Sequence, residues 1–105
     1  MADRDQLSIV VEPHEDRTVI RLRGELDLAT APTVGDSLRR TRGEVVIDLV
    51  ELGFIDASGL RALVEAGRHL EDHGGGLVVI NATGLTQRMF ELTGLDHLLS
   101  GSDAL

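Results

Sequence analysis

The stretch VVIDLVELGFIDASGLRALVEAGRHLEDHGGGLVVI, residues 45–80, decides the fold. Val45-Val46-Ile47-Asp48-Leu49 is a short apolar run of the kind expected for a strand buried on both faces. Leu77-Val78-Val79-Ile80 is a second such run. Between them Leu60, Leu63, Val64, Gly67 and Leu70 recur at helical spacing, and Gly74-Gly75-Gly76 closes the helix. Strand, helix, strand in that order is a crossover unit, whose two strands run parallel. Val50 to Ile55, between the first strand and the helix, reads as a loop.

Upstream, Leu7–Glu12 is β-branched and partly alternating, and Pro13-His14-Glu15-Asp16 is turn-like. Thr18–Arg23 alternates apolar and polar residues and continues through Gly24 to Leu26, so the two segments form an antiparallel hairpin. Thr30-Ala31-Pro32 starts a helix with a capping hydroxyl and proline in the first turn. Ala31, Val34 and Leu38 follow at helical spacing, with Gly35 interrupting them. Arg39, Arg40 and Arg42 suit the helix C-terminus, and Gly43 ends it. Downstream, Thr83–Leu92 reads as a third helix, and Leu95–Leu105 follows no clear pattern. The expectation is an α/β fold: a mixed β-sheet of four to five strands, an N-terminal hairpin then βαβ units, covered by three to four helices.

Composition narrows the function. Ten arginines and no lysine face 18 carboxylates in 105 residues, for a formal charge of −8. That balance argues against binding nucleic acid or an anionic membrane. Without lysine there is no P-loop lysine and no Schiff base. Without cysteine there is no thiolate nucleophile and no cysteine-held metal. Phe54 and Phe90 are the only aromatic residues besides histidine, too few for base stacking. The polar start Met1–Gln6 carries no apolar signal core, and no apolar run approaches the ~20 residues of a membrane span, so the chain reads as cytoplasmic.

Asp56-Ala57-Ser58-Gly59-Leu60 places Ser58 in or beside the first turn of the best-defined helix. Unpaired amides and the helix dipole favour negative charge there, so a phosphate on Ser58 would be accommodated. At about 100° per residue, Ser58, Ala62, Glu65 and His69 fall opposite the apolar stripe. The Ser58 hydroxyl is therefore expected to be exposed. The same residues also read as a plain helix cap, with Asp56 or Ser58 bonding the first amides. Asp27 lies at the other strand-to-helix junction, on the same sheet edge if both crossovers are alike. Two carboxylates beside a hydroxyl suit acid–base work or Mg²⁺, or simply two caps.

Three further groups read as structural. Asp48, at the end of a buried strand, is expected to be satisfied by loop amides. His69 and His73 have metal-compatible spacing but no third ligand nearby, so they read as a solvated polar face. Gly74–Gly76 follows a helix and precedes a strand, the reverse of a phosphate loop. Ser58 lacks the Gly-x-Ser-x-Gly context of a hydrolase elbow. No catalytic residue, cofactor or metal is expected.

Gly24-Glu25-Leu26-Asp27 with Pro32, Val46-Ile47-Asp48-Leu49, and Phe54-Ile55-Asp56-Ala57-Ser58-Gly59-Leu60 together resemble the STAS domain family. More narrowly they resemble its stand-alone bacterial anti-sigma factor antagonists. The likeness spans about residues 7–99, so it implies one STAS domain over 1–105 with that ordered core. It implies a partner-switching protein that is not an enzyme. Unphosphorylated, it would bind an anti-sigma factor serine kinase and free the sigma factor; phosphorylated on Ser58, it would be released. The resemblance implies a partner surface of Asp27, Asp56, Gly59, Arg61 and Ala62 and a serine phosphatase that resets Ser58, while the charge of −8 and few exposed apolar residues suggest a monomer when free. The kinase would supply ATP and Mg²⁺. Single STAS domains also resemble accessory subunits of ABC-type lipid-transport ATPases, an alternative in which docking would not depend on Ser58.

Overall fold

The computed structural model describes residues 6–100. The polar start at Met1–Asp5 and the tail from Gly101 lie outside the described residues. The elements are β1 (Leu7–Pro13), β2 (Thr18–Leu26), α1 (Ala31–Arg39), β3 (Glu44–Ile55), α2 (Ala57–Asp72), β4 (Gly76–Ile80) and α3 (Gly84–Leu92), followed by a 3-10 turn at Asp96–Leu98.

The sheet has the order β1-β2-β3-β4. The β1–β2 hairpin is antiparallel, while β2–β3 and β3–β4 are parallel, as the crossovers through α1 and α2 require. Leu99 adds a single parallel bridge to Val79, the stub of a fifth strand. One face of the sheet, through Ile20, Leu22, Val45, Ile47 and Val79, packs against Val34 and Leu38 of α1, Leu63 and Leu70 of α2, and Phe90 of α3. Each fully buried leucine or isoleucine there contributes about 1.5–3 kcal/mol. The opposite face holds a smaller cluster of Val19, Val46 and Ile80. No helix among the described residues is long and apolar enough to cross a membrane.

β3 corrects one expectation. The strand does not stop at Leu49 but runs on to Ile55, pairing Leu52, Phe54 and Ile55 with Gly24, Glu25 and Leu26. Two register shifts against β2, each adding one residue to β3, bend this part of the ladder. Its burial then follows every third residue rather than every second, with Leu52 and Ile55 inside and Val50, Glu51, Gly53 and Phe54 outside. Alternation was therefore absent from the sequence. Gly24 has φ +109, and a side chain there would collide with the Gln6 carbonyl, so only glycine fits this bend.

Candidate functional site

Because β2 and β3 are parallel and Leu26 is paired with Ile55, the two strands end together. Asp27 and Asp56 therefore emerge side by side, as the sequence led us to expect. Asp56 is the N-cap of α2. Its Oδ1 accepts the Gly59 amide (3.0 Å) and its Oδ2 accepts the Leu28 amide (3.2 Å). Its own amide donates to the Leu26 carbonyl (3.1 Å). One residue thus joins the end of β2, the start of α2 and the loop before α1.

Asp27 shapes that loop. Its Oδ1 accepts the amides of Ala29 (3.0 Å) and Thr30 (3.1 Å). Thr30 was expected to cap α1 with its hydroxyl, and it does not. Its buried hydroxyl instead accepts the Asp27 amide (2.9 Å) and donates to the Glu25 carbonyl (2.8 Å), pulling the loop shut. Leu28 stands at the top of this loop, 75% exposed, a feature the sequence reading missed. A leucine between Asp and Ala gives no periodic signal of its orientation.

Gly59 allows α2 to sit this close. A Cβ there would lie 2.6 Å from the Leu26 carbonyl oxygen, 2.7 Å from Leu26 Cγ and 2.9 Å from Ile55 Cγ1. Expected on the partner surface, Gly59 is buried, so it contributes position rather than contact. Arg61 is exposed and Ala62 is half-buried.

Ser58 lies in the first turn of α2, as expected, but half-buried rather than fully exposed. It lines a groove of about 460 Å³ between α1 and α2, together with Leu28, Pro32, Arg61 and Ala62. Of the stripe expected to face open solvent, Ser58, Ala62 and His69 are half-buried and only Glu65 is exposed. The reason is α1, whose Ala31, Pro32 and Gly35 form the groove's other wall. Helical periodicity finds the core-facing stripe, but it does not say which helix lies alongside. The small residues Ala31 and Gly35, facing Ala62 and Ala66, were the available signal. The Ser58 hydroxyl makes no hydrogen bond among the described residues.

The charges here are uncompensated. Among the described residues the ion pairs are Arg17–Asp16, Arg21–Glu12, Arg21–Asp48 and Arg39–Asp36, and none involves Asp27, Asp56 or Arg61. Both aspartates are spent on amides, the cap role weighed from sequence, and no group of three or more His, Asp or Glu among the described residues could hold a metal. At the far end of the groove, His69 lies 3.4 Å from Arg42 and its ring centroid is 4.5 Å from that of His73.

Asp48 sits apart from all of this, on the other face of the sheet. Its Oδ1 accepts the Val50 amide (3.0 Å) and the Asn81 side-chain amide (2.9 Å), and its Oδ2 accepts Arg21 Nε (3.3 Å). It is satisfied, as expected, but by a strand amide and two side chains rather than by a loop. Glu12 hydrogen-bonds the same arginine and holds its pKa above the ordinary value, with Asp48 adding to the effect.

Comparison with known proteins gives a consistent picture. The family model described as "Mlab, STAS domain" matches residues 9–100. An anti-sigma-B factor antagonist of Listeria monocytogenes is 32% identical over 94 residues, covering 86% of this chain and 82% of the relative. An anti-sigma F factor antagonist of Paenibacillus polymyxa is 30% identical over 98 residues, covering 89% and 84%. A crystal structure of an anti-sigma factor antagonist from Mycobacterium paratuberculosis matches with a TM-score of 0.79 at 29% identity, over 92% of this chain and 86% of that one. The anti-sigma factor antagonist SpoIIAA in its unphosphorylated form shares the fold with a TM-score of 0.81 at 22% identity, over 90% and 88%.

Proposed function

The chain belongs to the STAS domain family, and from that premise we propose that it is an anti-sigma factor antagonist working by partner switching. It has no catalytic machinery of its own in this reading. Unphosphorylated, it binds an anti-sigma factor that is a serine kinase, and the sigma factor goes free. The kinase then transfers the γ-phosphoryl group of ATP to Ser58. The Ser58 Oγ–P bond forms as the bond to the ADP oxygen breaks, and the hydroxyl proton passes to a base of the kinase. The phosphorylated protein lets go, and a serine phosphatase restores the hydroxyl.

One observation carries the proposal. Ser58 lines a groove with a hydroxyl that makes no hydrogen bond among the described residues, and neither Asp27 nor Asp56 is paired with a cation among those residues. Phosphorylation adds about −1.5 to −2 charges. A partner surface fitted to a neutral hydroxyl two residues from Asp56, whose side chain holds the loop that follows Asp27, then meets a dianion and its like-charged neighbours. Complete release takes about 10⁴-fold differential affinity, and charge changes at a close, desolvated interface are of the right size. The α2 N-terminus tolerates the new charge, so the change stays local. The contact surface we assign is Asp27, Leu28, Asp56, Arg61 and Ala62, with Gly59 beneath it.

The test uses the full chain with ATP, Mg²⁺ and extract of its own host, followed by peptide mass spectrometry and capture of bound partners. The expected result is one phosphate on Ser58, none on Ser58→Ala, constitutive kinase binding by Ser58→Ala and none by Ser58→Asp. Normal ATP-dependent release of Ser58→Ala would overturn the proposal. Ser58-independent capture of an ATP-binding cassette subunit, with Ser58 unlabelled, would establish the transport-accessory reading instead.

A further inference from the structure

We propose that Arg61 is the intramolecular partner of the phosphate on Ser58, so that phosphorylation withdraws an arginine from the partner surface as well as adding charge to it. The inference rests on Ser58 as the acceptor and adds how the modified state is held.

Ser58 and Arg61 are three residues apart on α2, where side chains are neighbours with Cβ atoms about 5–6 Å apart. Both line the groove beside α1. Arg61 is exposed and has no ion pair among the described residues, whereas Arg39, also on the groove, is held by Asp36. The α2 N-terminus has already committed part of its donor set: the Asp56 side chain takes the Gly59 amide and the Asp56 carbonyl takes the Leu60 amide. A dianion placed there faces Asp56, Asp27 across the bridged loop, and Glu65 two turns along. Arg61 is the nearby countercharge, and its planar fork matches phosphate oxygens.

Arg61 also has somewhere else to be. It lines a second cleft on the other flank of α2, with Ala57, Leu60, Thr93 and Leu95. With a bare serine the guanidinium is free to meet the partner; with phosphoserine it is drawn into the groove.

The test installs phosphoserine co-translationally at position 58 of the full chain and follows the phosphate by ³¹P NMR across its second ionisation, near pH ~6. In the Arg61→Gln protein the second pKa of the phosphate is expected to rise by about half a unit or more, with Arg61→Lys in between. The gap should shrink in high salt. An identical titration in a folded Arg61→Gln protein overturns the inference. Failure of the host kinase to label Ser58 would count against the function proposed above and leave this titration readable, so the two failures are distinguishable.

Discussion

Asp48 and Asp56 belong to the same strand and its exit, and each accepts hydrogen bonds on both carboxylate oxygens, yet they do opposite work. Asp48 is 4% exposed and bound to a cation, a side-chain amide and a backbone amide. Everything its charge can do is used inside the protein, tying β2, β3 and the exit of β4 together. Asp56 accepts backbone amides from α2 and from the loop before α1, and it has no ion pair among the described residues. It organises a surface and leaves a field in front of it. A satisfied carboxylate is thus silent when its partners include a countercharge, and still speaks to solvent when they do not.

Substitution separates the two roles, and the largest effect belongs to the silent one. Asp48→Ala strands the Val50 amide and the Asn81 side chain, and should destabilise by about 2–3 kcal/mol in urea unfolding, with partner affinity per folded molecule unchanged. Gly59→Ala forces α2 off the ends of β2 and β3. It should cost about 1–3 kcal/mol and weaken partner binding too, because the whole site moves with the helix. Asp56→Ala loses an N-cap, about 1 kcal/mol by thermal melting, but releases Leu28 and should abolish most binding in calorimetry. Ser58→Ala should leave stability within about 0.5 kcal/mol and remove the switch entirely. If Asp48→Ala damages binding as much as Asp56→Ala in folded protein, the division drawn here is wrong.

The sequence was most legible where period and burial agree. The hairpin, α2 and β4 follow from alternation, from the 3.6-residue stripe ending at Gly74, and from a short buried run. The extension of β3 was not legible, because its bends replace alternation with every-third-residue burial. The adjacency of Asp27 and Asp56 was legible because strand-to-helix junctions on parallel strands share an edge, and the place of Ser58 in the first turn of α2 because the helix start was legible. What escaped was the lateral packing: that α1 closes a groove over Ser58, that Thr30 turns inward, and that Leu28 turns out. Each depends on which elements are neighbours, and one-dimensional patterns do not encode that.

The bond from the Leu28 amide to Asp56 joins residues 28 apart in the chain, contributed by two separate crossovers. The two halves of the site meet only when the ends of β2 and β3 have paired. A nascent or denatured chain offers the same Asp-Ala-Ser-Gly peptide without the loop, the neighbouring aspartate or the groove. Under the proposed function, a kinase that reads this surface would read completion of folding, and only finished copies of the protein would enter the regulatory count.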